Sequence, residues 1–254
     1  MSYINSPLKW AGGKGKALKH ILPILEKHKK KVFVEPFMGA LNVSLNFQDC
    51  ELYVLNDLNW ELYNTFDIIQ HKPDQYIEAA QVLFAKGLDY YEEARAIFNT
   101  GGLSPLNRAS YFQYINKMSF NGLYRVNKSG KFNVPRGSGG TKNVPVDAIN
   151  ITSKFLNEKQ VCLGCTEFEK VFEYISEMED VLVYADCPYV SLNSNFKYTK
   201  DGFGLDKQEK LKQLAKDSKH TVIISNHLTP YTEALYSDAN EIYTFPVQRT
   251  ISCD

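Results

Sequence analysis

The run Val181-Leu182-Val183-Tyr184-Ala185-Asp186 leads straight into Cys187-Pro188-Tyr189, so an apolar strand delivers a carboxylate, a proline-stiffened backbone and an aromatic ring to one turn. A carboxylate oxygen beside a backbone carbonyl can accept both hydrogens of a planar amine. The lone pair of an exocyclic amine is delocalised into its ring, which makes it a poor nucleophile until the nitrogen is drawn toward tetrahedral geometry. Asp186 and the carbonyl of Cys187 offer the two acceptors, and Tyr189 offers a face on which a flat ring can stack. Group transfer to such an amine asks for positioning and electrostatics more than for a metal or a tuned base. On these residues alone, D-x-P-Y reads more simply as a turn that ends a strand.

A second constellation lies upstream. VFVEPFMGAL (32–41) reads as a buried strand followed by a glycine turn, and Asp57 closes the next strand 22 residues after Glu35. Nucleotide-binding α/β folds use these parts: glycine lets backbone approach the ligand, and an acidic residue ending the second strand binds ribose hydroxyls. There is a single glycine and no G-x-G-x-x-G, so a cofactor without a pyrophosphate is preferred over NAD or FAD. Glu35 itself reads equally as a strand-end carboxylate with no ligand. GGKGKA (12–17) is not a phosphate loop, because no strand precedes it and Ala17 stands where a hydroxyl would be needed.

These residues need a scaffold, and the apolar pattern supplies one. Runs rich in β-branched and aromatic residues recur at 31–37, 51–57, 160–165, 180–186, 220–226 and 241–247, with helical patterns between several of them at 15–25, 167–175 and 206–215. Alternation of strand and helix predicts an α/β domain with a largely parallel sheet. Between Asp57 and Gln160 the rhythm changes to helices at 61–69, 73–84, 90–98 and 108–117, followed by a glycine- and asparagine-rich stretch, 121–143, without clear periodicity. An α/β core interrupted by a helical insertion is expected.

Composition bounds the function. The 254 residues carry 29 basic and 29 acidic side chains, but the balance hides polarisation. Residues 1–31 hold eight lysines against Glu26, and 101–144 hold seven Lys/Arg with no acid, leaving 14 basic against 28 acidic residues elsewhere, a net charge of −14. In 101–144 the cations are interleaved with aromatic and amide residues, which suits a nucleic-acid-facing cleft. No stretch approaches the roughly 20 apolar residues of a membrane span, and MSYINSPLKW lacks the apolar core of a signal peptide, so a cytoplasmic location is expected. Five scattered cysteines argue against a disulfide framework. Cys162-x-x-Cys165 has no second pair and is expected to be a buried strand pair rather than a zinc or redox site. His227 reads as a cleft residue or as a histidine satisfied at a strand end, and Phe196 as a substrate-covering loop residue or an ordinary surface aromatic.

The segments SPLKWAGGKGK (6–16), FVEPFMGA (33–40), LND (55–57), FNGLYR (120–125), GKFNVPRG (130–137), YADCPY (184–189) and IISNH (223–227) stand in an order and at spacings similar to those of the DNA adenine methyltransferase (Dam) family, over about residues 6–252. The resemblance implies a Rossmann-like methyltransferase core over 1–60 and 146–254, dependent on S-adenosylmethionine (SAM), with a mainly helical target-recognition domain inserted at 61–145. It implies methyl transfer to N6 of adenine in double-stranded GATC DNA by base flipping, with S-adenosylhomocysteine as product and no metal. By position, it puts Trp10 and Lys14 along the SAM amino-acid moiety, Glu35, Phe37 and Gly39 at the cofactor turn and Asp57 on the ribose. Asp186, Cys187, Pro188 and Tyr189 would hold the flipped adenine, with Asp186 also bordering SAM. Lys9, Leu123, Arg125 and Pro135 match base-reading positions, and Phe120 and Asn121 match residues that fill the gap in the helix.

Two departures stand out. The family pattern at the catalytic turn is D-P-P-Y, and Cys187 replaces the first proline, returning freedom in φ and a backbone N–H. This opens a second reading, a slow or silent relative that still binds SAM and GATC DNA. The family pattern also continues into a final strand beyond residue 254, so EIYTFPV (241–247) is expected to be a strand with an unpaired edge.

Overall fold

The computed structural model describes residues 3–139, 142–190 and 203–247. Its centre is a five-stranded parallel sheet: β1 (Val32–Glu35), β2 (Leu52–Asn56), β3 (Gln160–Gly164), β4 (Val181–Ala185) and β5 (Thr221–Ile224), in the order β3-β2-β1-β4-β5. Alternation within the strands sends side chains to two cores. Phe33, Tyr53, Leu55, Leu182 and Tyr184 enter one apolar cluster, and Val34, Val54, Val181, Val183 and Ala185 enter the other. Burial on both faces is what parallel strands require. Each Val, Leu or Phe among them contributes roughly 1.5–3 kcal/mol relative to exposure.

The smaller cluster is closed by α7 (Phe168–Ile175) and by Leu211 of α8 (Leu205–Asp217). The larger is closed by α1 (Leu18–Lys27) and by the helices between β2 and β3: α2 (Trp60–His71), α3 (Pro73–Ala85), α4 (Tyr91–Thr100), α5 (Pro105–Met118) and α6 (Val146–Glu158). α5 is buried nearly all round and packs against α2, α3 and α4. Arg108 of α5 meets Glu61 of α2 through both carboxylate oxygens (Nε–Oε1 3.0 Å, Nε–Oε2 3.1 Å, Nη2–Oε1 2.5 Å) and also donates to the Phe98 carbonyl at 3.2 Å. A single apolar cluster runs from one sheet face through these helices. A short α9 (Pro230–Leu235) follows β5.

Three expectations are corrected. Residues 241–247 form no strand: Glu241 and Tyr243 accept hydrogen bonds from Lys27 (2.8 and 3.0 Å) and Phe245 stacks on His20 at 4.6 Å, so side chains lay the segment along α1. Cys162 and Cys165 are exposed rather than buried, because β3 is an edge strand. Residues 119–136, most of them in the stretch without periodicity, form a two-stranded ribbon with isolated antiparallel bridges Val126–Phe132 and Ser119–Arg136. Phe196 lies outside the described residues.

Candidate functional site

The chain runs outward from β1 to β3 and then returns to set β4 on the other side of β1. At such a reversal, the loops at the carboxyl ends of adjacent strands part and leave a crevice. Trp10, Lys14, Glu35, Phe37, Gly39, Asp57 and Asp186–Tyr189 all line one cleft there.

Asn56 holds its floor. This buried amide donates to the Pro36 and Thr166 carbonyls (3.0 and 2.9 Å) and accepts from the Thr166 N–H (3.0 Å), joining the loops that follow β1, β2 and β3. Gly39 has φ +50°, and a Cβ there would stand 3.2 Å from the Trp10 ring, so a side chain would be strained and would press the indole off the turn. The Gly39 N–H donates to Asp57 Oδ2 and the Asn59 N–H to Oδ1, both at 2.9 Å. Phe37, Phe168 and Phe203 form an apolar wall with centroids 5.4–5.6 Å apart. Glu35, 2 % exposed, accepts from the N–H and hydroxyl of Ser44. Burial holds its carboxyl well above the usual range, and the charge of Asp186 adds to the effect.

Past β4, Lys14 Nζ lies 2.5 Å from Asp186 Oδ2, donates to the Gly12 carbonyl at 2.8 Å and sits 4.6 Å from the Tyr189 ring centroid. Asp186 Oδ1 is buried with no hydrogen-bond partner among the described residues. Burial raises the Asp186 pKa, and Lys14 opposes that rise. The Tyr189 hydroxyl is 2.6 Å from Ser225 Oγ, its ring packs edge-on against His227 (4.6 Å, 72°), and His227 Nδ1 is 2.8 Å from the Val190 carbonyl. His227 thus lines the cleft, three residues past the end of β5. Cys187 turns inward, and burial pushes its thiol up to about 12, which favours the neutral thiol. The turn can therefore hold an N–H donor against a carboxylate over an aromatic face.

A second group of residues stands beside the cleft. Asn116 of α5 accepts from the Lys9 N–H (2.9 Å) and donates to the Lys9 carbonyl (2.7 Å), clamping Lys9 by its backbone. Lys9, Lys117, Phe120 and Asn121 line one small depression. Burial, with Lys9 nearby, lowers the Lys117 pKa to about 8. Phe120 is 47 % exposed, and Asn121 stands next to it in the left-handed region at φ +54°. Arg125, on the ribbon, is braced by Asn133 (Nε–Oδ1 2.8 Å, Nη2–O 3.2 Å). Asn99 of α4 exchanges hydrogen bonds with the Phe132 backbone (2.9 and 2.8 Å), and Arg95 and Tyr91 donate to the Val134 carbonyl (3.0 and 2.9 Å). Leu123 is half-buried at the cleft edge, and Pro135 is exposed, its carbonyl accepting from the Phe120 N–H.

Gly122 has φ +68°, and a Cβ there would stand 2.7 Å from Lys9 Cβ. Gly122→Ala is expected to cost about 1–3 kcal/mol through left-handed strain and displacement of Lys9. Thermal denaturation shows the loss; an unchanged melting temperature contradicts the expectation.

Sequence reasoning missed Asn56, Asn116, Asn133, Thr166–Phe168 and Gln208. Gln208 left one legible mark: it falls midway between Leu205 and Leu211 at threes, on the stripe of α8 that faces inward.

The sequence matches the family model for D12 class N6 adenine-specific DNA methyltransferases over residues 10–251. It is 37 % identical to the DNA adenine methylase of Haemophilus influenzae, covering 96 % of this chain and 87 % of that protein. Identity is 34 % to the DNA adenine methylase of Escherichia coli K12 (96 % and 88 %) and 35 % to the type II methyltransferase M1.LlaDCHI of Lactococcus lactis subsp. cremoris (95 % and 87 %).

Proposed function

The chain belongs to the D12 class of N6 adenine-specific DNA methyltransferases, and from that premise we propose that it methylates the adenine of GATC in duplex DNA, using SAM and flipping the base into the cleft. One observation carries the reading. The Lys14 ammonium lies 2.5 Å from Asp186 Oδ2 and 4.6 Å from the Tyr189 centroid, an N–H donor against a carboxylate over an aromatic face, which is the arrangement a stacked adenine amine requires.

In this mechanism Tyr189 stacks on the extruded base, since chemistry on a base requires taking it out of the helix. Asp186 and the Cys187 carbonyl accept the two N6 hydrogens and draw the nitrogen lone pair out of the ring. Preorganised acceptors need no rearrangement as charge develops, which is the main electrostatic gain of such a site. The residues of the cleft fit SAM. Each Asp57 oxygen accepts one backbone N–H and keeps capacity for a ribose hydroxyl. The Phe37, Phe168 and Phe203 wall suits a purine face, Gly39 admits backbone approach, and Lys14 and Trp10 suit the amino-acid end, with Glu35 behind the turn. Bound there, SAM supplies an electrophilic methyl group on a sulfonium.

Residues 61–145 form the target-recognition unit on this reading, and 1–60 with 146–254 the catalytic core. Lys9, Leu123, Arg125 and Pro135 meet base edges, while Phe120 and Asn121 fill the vacated stack. Arg125 suits guanine, because a guanidinium fork pairs bidentately with O6 and N7. Arg125→Ala is expected to relax discrimination at one guanine by about 1–3 kcal/mol. Competition between GATC and single-substituted duplexes measures this, and an undiminished preference removes Arg125 from its role. Action on DNA places the protein in the cytoplasm of a bacterial or phage-infected cell on this reading; among the described residues no helix is long and apolar enough to cross a membrane.

The deciding experiment follows labelled methyl from SAM into duplexes containing GATC, GTTC or an already methylated site. Labelling that ignores the GATC sequence sinks the specificity, and absence of labelling despite SAM and duplex binding favours a silent relative.

A further inference from the structure

Gln208 is 1 % exposed, a buried polar side chain on a helix that is otherwise mostly solvated. Its Nε2 donates to the Pro188 carbonyl at 2.8 Å. Its Oε1 accepts from Asn226 Nδ2 at 2.9 Å and from the Tyr236 hydroxyl at 3.3 Å. The amide can face only one way, because a carbonyl cannot donate and must meet the NH2 group. Asn226 in turn accepts from the Val190 N–H (3.1 Å) and the His227 N–H (2.8 Å). The two linked amides therefore grip the turn on both sides of Tyr189, by the carbonyl before it and the N–H after it. The Cys187 thiol is packed into the same cluster, 3.7 Å from both amide atoms of Gln208 and 3.8 Å from Asn226 Nδ2 and the Ser225 carbonyl.

We propose that Gln208, acting with Asn226, is a positioning residue for the reacting turn, supplying through hydrogen bonds the rigidity that a proline at position 187 would supply through its ring. This rests on the assignment of Asp186–Tyr189 to the methyl-accepting base. A proline fixes φ near −65°, whereas cysteine leaves that rotation free. Gln208 engages the Pro188 carbonyl, and among the described residues the Cys187 carbonyl accepts no hydrogen bond. The clamp thus takes the acceptor that the reaction does not use and leaves the one that it does. α8 can bear this load because Leu211 anchors it in the sheet core and Lys207 pairs with Glu167 and Glu169 at the start of α7.

The test compares steady-state transfer by the full chain and by Gln208→Leu and Gln208→Glu, each with Cys187 and with Cys187→Pro. Glutamate keeps an acceptor for Asn226 and Tyr236, and above the raised pKa that burial gives its carboxyl it cannot donate to the Pro188 carbonyl, so with transfer followed as a function of pH it serves even where leucine fails to fold. The expected result is a loss of about tenfold or more in kcat with KM for SAM and for duplex within about threefold, as for an interaction realised mainly in the transition state. In the Cys187→Pro background the loss should shrink to about threefold or less, since coupled residues are non-additive. A kcat within about twofold of wild type, KM values that rise in step, or an equal loss in both backgrounds overturns the inference while leaving the methyltransferase assignment intact. A wild-type chain that transfers no methyl overturns both.

Discussion

Asp186→Ala is expected to lower methyl transfer by at least about a hundredfold while SAM and duplex affinities stay within a few fold, because one preorganised electrostatic contact to the reacting group is lost. The expected effect on stability is small, because two consequences oppose each other. Removing the carboxylate relieves a buried oxygen with no partner and the charge that helps push Glu35 upward. It also strips Lys14 of its ion pair, leaving the ammonium its contacts with the Gly12 carbonyl and the Tyr189 ring. Active sites commonly hold groups that serve function at the expense of the fold. Single-turnover transfer measured beside duplex binding checks the prediction, and activity near wild type removes Asp186 from the reaction.

The largest effect on stability is expected at Arg108. Glu61 is buried in α2, its charge is satisfied by the Arg108 guanidinium, and burial already raises its pKa against that partner's pull. Arg108→Ala leaves the carboxylate unpaired, and breaking one side of a buried pair costs about 3–5 kcal/mol. For a chain of this size that is a fall in Tm of roughly 6–20 °C. The double variant Glu61→Met, Arg108→Met should recover most of the loss, since a well-packed apolar pair can replace a buried ionic one. If the double variant melts no higher than Arg108→Ala, the pair is not the cause.

The central strands were legible because they are buried on both faces and read as nearly unbroken apolar runs, as in VFVE of β1 and VLVYA of β4. The helices α2 to α5 were legible from their apolar spacing. α6 was not read, although Ile149, Phe155 and Leu156 mark its buried side, and the inward position between them is held by a polar residue, Thr152. The ribbon was opaque for a different reason: its strands are held by Asn99, Arg95 and Tyr91 of α4, and such long-range partners leave no local period. EIYTFPV misled because β-propensity describes a fit to a pleated, half-buried surface, and here the segment meets α1 instead. At the site, residues carrying charge or ring faces stood out by type. The amides that hold them, Asn56, Asn116 and Gln208, look in sequence like any other polar residue.

Lys9 and Lys14 lie five residues apart on one stretch of backbone, the first beside Phe120 and Asn121, the second on Asp186. Between them the Trp10 indole rests on Gly39 and stacks on Tyr124, and the Gly13 N–H closes a turn onto the Trp10 carbonyl at 3.1 Å. Asn116 holds this stretch to α5 at Lys9. On the roles proposed above, the side chain that meets the duplex and the ammonium beside the base-holding carboxylate are therefore mounted on one braced piece of backbone, which sets the spacing between the two.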